Sequence, residues 1–459
     1  MIRKFLTMLL KIRRKIRLRP TTMIIAMFGL IILTGAVLLN LPIASRDGQS
    51  IGFLDALFTA TSAGCVTGLI VADTYQQWSY FGQLVILALI QIGGLGFMTM
   101  ATLVSLFFRR TITYRERLLM AESLNQNHTT GIVRMTQHIL IGTFILEATG
   151  ALLLSINFIP RFGVVGGIYR GIFHSVSSFC NAGFDLMGKH GAFSSLTEYQ
   201  PNVVVNIVIM GLIILGGLGF AVWEDIITVR GFKNYKLHTK LVLLITAILL
   251  IFGTVAFFAL EYNNPETLGP MSMKNKIMGA AFQSTTVRTA GYNTIDQAGM
   301  TEGSKFISIL LMFIGGSPGS TAGGVKTVTM GILLFTVFAS IHGSSDVNIY
   351  GRRMKRNNIY RAVSIVLIAL AAIVVATIIL MIADNVTLTE SLFETVSAFG
   401  TVGLTLGITP SLSIASKLAL IALMFFGRIG IFTIALAFAL RSKRKHRNFR
   451  YPEGDIMVG

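Results

Sequence analysis

Charge is what this sequence has least of for its size. Asp, Glu, Lys and Arg make up 13% of 459 residues, against about 25% in a soluble domain. With 53% hydrophobic residues and a mean hydropathy of +0.71, a water-soluble globule has no way to hide its apolar surface, which excludes a soluble enzyme. Cysteine is nearly missing. Cys65 and Cys180 sit in apolar surroundings and give neither a disulfide framework nor a metal cluster. Paired acids are missing too: the spans hold an isolated Glu147, and Asp384 near a span end. A membrane-embedded enzyme would need a His-Glu-x-x-His pattern or two intramembrane aspartates. A lone secretion signal is excluded because apolar stretches recur along the whole chain.

Those stretches come next. A membrane helix needs about 20 apolar residues at 1.5 Å each. Eight spans fit: 22–41, 80–108, 136–158, 203–223, 239–260, 305–314 continuing through 328–341, 360–383 and 416–440. Within each successive pair lies a segment too short to cross, rich in small and hydroxyl residues. The excess of basic residues, net charge +19, has a clear distribution. Of 39 Lys and Arg, 28 fall in the N-terminus, 109–134, 230–240, 352–361 and 441–450. The alternate segments hold eight: Arg46, Arg161, Arg170, Lys189, Lys274, Lys276, Lys305 and Lys417. This pattern places both termini in the cytoplasm. It reads as topology and contact with an anionic lipid bilayer, with no nucleic-acid partner.

The chain repeats itself. LFTATSAGCVTGL (57–69), IFHSVSSFCNAGF (172–184), AFQSTTVRTAGY (281–292) and LFETVSAFGTVGL (392–404) align on Gly68, Gly183, Gly291 and Gly403, the third being one residue shorter. A second glycine mark follows at 93–96, 216–219, 315–319 and 427–430, offset by 25, 33, 24 and 24 residues. The expected fold is therefore an all-α integral membrane protein. Four span–re-entrant loop–span repeats, eight transmembrane helices in all, surround a pseudo-four-fold central pore. The repeats cover 22–108, 132–223, 239–341 and 359–440, flanked by a basic N-terminus (1–21) and a tail (441–459).

Re-entrant backbone at membrane depth is tolerated only where protein or a water-filled pore covers it. Four such loops aimed at one centre offer a ring of carbonyls, which replaces the water shell of a monovalent cation. Glycine permits the backbone angles this needs. The short helices before the loops point their negative ends at the same centre. The candidate filter comprises Val66, Thr67 and Gly68; Asn181, Ala182 and Gly183; Thr289, Ala290 and Gly291; and Thr401, Val402 and Gly403. Four repeats in one direction favour a pore over an alternating-access carrier, whose repeats are usually paired and inverted. Tightly coupled Na+/K+ symport remains the alternative.

These motifs resemble the membrane subunit of the Ktr potassium transporters, within the Trk/Ktr/HKT superfamily. The resemblance runs over about residues 20–459. It includes FGQLVILALIQIGGLGFMT (81–99), FIGGSPGSTAGGVKT (313–327), SAFGTVGLT (397–405), FFGRIG (425–430) and RYPEGDIMVG (450–459). It implies a homodimer and a cytosolic, octameric ring of nucleotide-binding regulatory subunits. It also implies potassium uptake assisted by sodium. K+ is then the transported ion and Na+ an activator, with no cofactor in this chain and ATP, ADP or NAD on the regulatory partner only. Glycine at all four filter positions fits potassium selectivity.

GGSPGSTAGGVKT (315–327) is not a phosphate loop, because Val325 separates Gly324 from Lys326 where the pattern puts lysine directly after glycine. It reads either as a flexible break or as a gating loop under the filter; the resemblance implies the gate. Its residues are Gly315, Gly316, Gly319, Gly323, Gly324 and Lys326, with Arg428 on the fourth kink. Arg428 either pairs with Glu147 or raises a barrier below the filter. Arg288 is expected to clamp the third filter loop. Asp55, Asp73, Asp296 and Glu394 either concentrate cations at the mouth or cap short helices. His138 and His174 read as packing residues. The apolar tip Ile456–Val458 is expected to dock on a partner.

Overall fold

The computed structural model describes residues 20–96, 99, 112–123, 130–189, 191–344 and 346–430. Most of the basic N-terminus, the end of the second expected span, the end of the last span and the tail with Ile456–Val458 lie outside the described residues.

The chain runs through four helical units. The first holds α1 (Pro20–Leu39), α2 (Phe53–Cys65) and α3 (Tyr80–Leu95). After α4 (Tyr114–Ser123), the second holds α5 (Ile132–Phe179), α6 (Val203–Leu218) and α7 (Phe220–Thr228). The third holds α8 (Leu237–Glu261), α9 (Met273–Thr286), α10 (Glu302–Phe313) and α11 (Thr327–Ile341). The fourth holds α12 (Arg356–Asp384), α13 (Leu388–Gly400) and α14 (Ile414–Ile429). A small hairpin, Asn348–Ile349 against Arg352–Arg353, departs from the all-α expectation.

The second unit differs from the others in that its span and returning helix run together as α5. Pro160 lies inside α5 and Gly163 sits at φ 75°, ψ 170°, which divides the 48 residues at a kink. Proline removes a ladder hydrogen bond and glycine accepts the resulting angle.

Among the described residues, four helices are long and apolar enough to cross a membrane, in α1, α5, α8 and α12, with α6–α7 a fifth if bent pairs count as one span. Eight spans were expected. The difference lies in the second span of each unit. The ladder of α3 stops before Gly96, that of α6 before Gly219 and that of α14 before Gly430, at φ 80°, 95° and 93°. The apolar sequence continues past each stop. At Gly219 the axis turns by 93° between α6 and α7.

Burial follows membrane logic. α12 exposes Leu367, Val374, Ile378 and Ile382 and buries Ala362, Ala369, Ile373 and Ala376. Small residues on the packed face let helices approach closely, and the large apolar ones suit hydrocarbon. The short helices form the core. Phe58, Phe173, Phe282 and Phe393 head the four repeated motifs, and all are fully buried. Each contributes about 1.5–3 kcal/mol by burial.

Candidate functional site

The C-terminal ends of α2, α5, α9 and α13 carry one backbone design. Two residues before each marked glycine the chain turns left-handed: Val66 at φ 58°, Asn181 at 59°, Thr289 at 68° and Thr401 at 51°. Three of the helices end in a Schellman motif. Thr67 N–H donates to Ser62 O at 2.7 Å, Ala182 to Ser177 at 2.8 Å and Val402 to Ser397 at 2.9 Å. The third motif lacks one residue and closes tighter, with Ala290 N–H on Thr286 O at 3.0 Å. Glycine is the usual left-handed residue of this motif, but here it is held back for the next positive-φ position. Left-handed, β-branched Val and Thr are uncommon and strained, and such strain clusters at functional sites.

The glycines meet each other in chain order. A Cβ added at Gly68 would lie 2.6 Å from Ala182 O, and one at Gly183 would lie 2.6 Å from Ala290 O. One at Gly291 would strike Val402 O, and one at Gly403 would strike Thr67 O. The contacts close into a cycle of four, each carbonyl coming from the residue before the next glycine. Positive φ, from 70° to 95°, and lack of space both require glycine at these positions. All twelve candidate filter residues lie at this one place.

Hydroxyl groups in equivalent positions hold the loops. Ser62 and Ser397 accept the N–H of Gly68 and Gly403 at 3.0 and 3.1 Å. Ser177 and Thr286 instead donate to the carbonyls of Phe184 and Tyr292 at 2.8 and 2.7 Å. A second belt follows the phenylalanines. His174 is fully buried and accepts the Leu186 N–H at Nε2, 3.4 Å. Gln283 and Gln297 exchange two amide hydrogen bonds of 2.8 and 3.0 Å. Glu394 accepts from the hydroxyls of Thr405 and Thr409. Of these groups the sequence had marked only His174, as a packing residue, and Glu394, as a mouth or capping acid; Ser62, Ser177, Thr286, Ser397, Gln283 and Gln297 were not singled out as braces. Their signal was the hydroxyl five or six residues before each glycine and the polar residue after each phenylalanine.

The other flanking acids are structural partners. Asp73 caps the turn Thr74–Gln77 and also accepts the Phe193 N–H at 2.8 Å. Asp55 pairs with Lys417 at 2.7 Å. Asp296 accepts the Ala298 N–H at 3.1 Å. His138 pairs with Glu224 at 3.1 Å. Asp185 is half-buried two residues beyond Gly183. Burial pushes its carboxyl up to about 7; the Met187 N–H opposes this and Asp73 adds to it.

Residues 314–326 fill the break between α10 and α11. Gly315 N–H bonds Val325 O at 3.0 Å, and Ser317 and Thr321 N–H bond Gly217 and Gly216 O at 3.0 and 3.2 Å. Gly319 O accepts from Phe220 N–H at 2.9 Å, just past the bend at Gly219. Gly323 packs on Thr401 and Gly324 on Gly400, so the loop touches the fourth candidate filter segment directly. Lys326 folds back onto Ala322 O at 2.6 Å. Arg428 donates to Thr321 O in the loop and to Gly93 and Gly94 O in α3. The expected alternative, pairing with Glu147, is not what the structure has. Glu147 instead accepts from Gln91 Nε2 of α3 at 3.1 Å. Arg288 makes no clamp on the filter loop: its Nε has no acceptor.

The sequence matches the family model TrkH, described as cation transport protein, over residues 1–448. It is 42% identical over 455 residues to the potassium/sodium uptake protein NtpJ of Enterococcus hirae, covering 98% of this chain and 100% of that one. It is 40% identical over 449 residues to the Ktr system potassium uptake protein B of Bacillus subtilis, covering 98% and 99%. The fold is similar to the crystal structure of the potassium transporter TrkH from Vibrio parahaemolyticus, with a TM-score of 0.70 at 18% identity over 92% of this chain and 86% of that one. With several helices apolar enough to span a bilayer, this is a multi-pass membrane protein, and the chain belongs to the TrkH family of cation transport proteins.

Proposed function

We propose that the chain is the pore subunit of a potassium uptake system. It conducts K+ through a filter lined by the twelve residues at the glycine cycle. The observation that carries this is the closed order of contacts, with Gly68 on Ala182 O, Gly183 on Ala290 O, Gly291 on Val402 O and Gly403 on Thr67 O. Backbone carbonyls meeting at one centre suit a dehydrated monovalent cation. The names of the relatives, potassium uptake and potassium/sodium uptake, support this class, and they describe transport rather than enzymatic catalysis.

In this reading four pseudo-symmetric repeats supply eight membrane helices, the second of each kinked at its glycine. The basic segments lie in the cytoplasm with both termini. The loop 315–327 is the gate, with Gly315, Gly316, Gly319, Gly323 and Gly324 giving it room to rearrange. Arg428 and Lys326 hold it on backbone carbonyls. A homodimer and an octameric cytosolic ring that binds ATP, ADP or NAD would complete the system; the relatives named for a Ktr system support a multi-component uptake machine.

The test is rubidium and sodium flux in liposomes holding the purified chain, for the wild type and Gly403→Ser. Selective rubidium flux that the substitution weakens supports the filter. Rubidium flux indifferent to the substitution removes the filter assignment. Rubidium flux that requires sodium on the same side, in fixed ratio, favours symport, the reading that the name potassium/sodium uptake protein raises.

A further inference from the structure

Arg288 is the one buried guanidinium described here for which no hydrogen bond or ion pair is found among the described residues. The residue is only 8% exposed and its Nε has no acceptor. It lines a pocket of about 10 Å³ together with Ile213 and Gly217 of α6, Thr246 and Leu250 of α8, and Gly316. The Thr246 hydroxyl on that wall is likewise buried and unpartnered. Two residues with unpartnered polar groups therefore line a small space between the second and third units, and the lining offers them no carboxylate.

A full positive charge in apolar surroundings is costly unless it is paired. The buried acids of the helical body are engaged elsewhere. Glu147 takes Gln91, Glu261 takes Asn264, Thr267 and Thr301, and Glu394 takes Thr405 and Thr409. The C-terminal end of α9 just before Arg288 lends a partial negative charge, roughly half a unit, which does not cancel a whole one. A water would satisfy an N–H but bring no counter-charge. The pocket has room for roughly one water-sized particle, too little for a phosphate or a lipid headgroup.

We propose that Arg288 and Thr246 bind a single monatomic anion, chloride under ordinary conditions. The anion neutralises the guanidinium beside the third glycine loop and shields a cation in that loop from it. Because Gly316 forms part of the wall, the anion also supports the first turn of the loop 314–326.

The test is thermal unfolding of the detergent-purified full chain at fixed K+ and ionic strength, in chloride, bromide or gluconate. Chloride and bromide should each raise the midpoint over gluconate, which is too large for the pocket, by about 2–4 °C. Arg288→Gln should abolish the difference, and Thr246→Val should reduce it. Equal midpoints for the wild type in all three salts would mean that water alone fills the pocket and would overturn the proposal. So would a halide effect that survives in Arg288→Gln. If that variant does not fold, bromide anomalous scattering from wild-type crystals decides: a peak beside Arg288 supports the site, and its absence there rejects it. The readout is independent of transport, so it stands apart from the pore assignment.

Discussion

Arg428 Nη2 donates to Gly94 O at 2.9 Å, tying the end of α14 to the end of α3 across 334 residues of sequence. Its other nitrogen reaches Thr321 O, so one guanidinium joins the fourth unit, the first unit and the loop of the third. Backbone carbonyls at broken helix ends are acceptors in want of donors, and a planar guanidinium serves several at once.

Removing that tie should loosen the loop. Arg428→Gln is expected to raise cation leak through reconstituted protein several-fold and to cost roughly 2–4 kcal/mol of stability, as charged hydrogen bonds are lost. Rubidium efflux and thermal unfolding measure the two effects. A destabilised variant with no added leak would argue against the loop as a barrier.

The brace at Glu394 should tolerate one substitution and reject others. The third unit performs the same task with Gln283 on Gln297. Glu394→Gln should therefore fold and conduct. Glu394→Leu leaves Thr405 and Thr409 without their buried acceptor and should cost about 2–4 kcal/mol, with weakened K+ over Na+ selectivity. Unfolding midpoints and flux ratios for the two variants check this.

Asp185 predicts a pH dependence. Its folded pKa, pushed up to about 7 by burial, lies above the ordinary aspartate value of about 3.9. The folded state thus holds the proton more tightly than the unfolded chain. The stabilisation from this group is full below about pH 4 and is lost as pH rises to about 7. Asp185→Asn should flatten that part of the stability profile and gain relative to wild type at pH 8. A wild-type slope over pH 4–7 that Asn leaves unchanged would assign the slope to another group.

Lys417 and Asp55 join α14 to the first turn of α2 at 2.7 Å, with side-chain exposures of 11% and 29%. Breaking a buried pair costs about 3–5 kcal/mol, and partial exposure of the carboxylate lowers this to roughly 1–3 kcal/mol. Lys417→Met and Asp55→Asn should each show such a loss, with the double variant less than additive. Additive losses would mean that the two charges act separately.

The sequence by itself determined the membrane class, the four-part order and the register of Gly68, Gly183, Gly291 and Gly403. Hydrophobic run length and repeated glycine spacing are local properties, so they survive without knowledge of contacts. It also located the break at 315–327, because glycine and serine cannot sustain a helix there. What it left undecided were partnerships across the fold. Arg428 turned to the backbone carbonyls of Thr321 and Gly93 rather than to Glu147, which is met by Gln91. Glu394 went inward to Thr409 rather than outward to solvent. Val66, Thr289 and Thr401 became left-handed although β-branched side chains disfavour it, and Asn181, a residue that tolerates it, did so at the equivalent place. The Schellman closure of three of these helices, and the packing of four loops against one another, impose that conformation. Only the tertiary structure, in which residues hundreds of positions apart compete for the same donors and the same space, decided these.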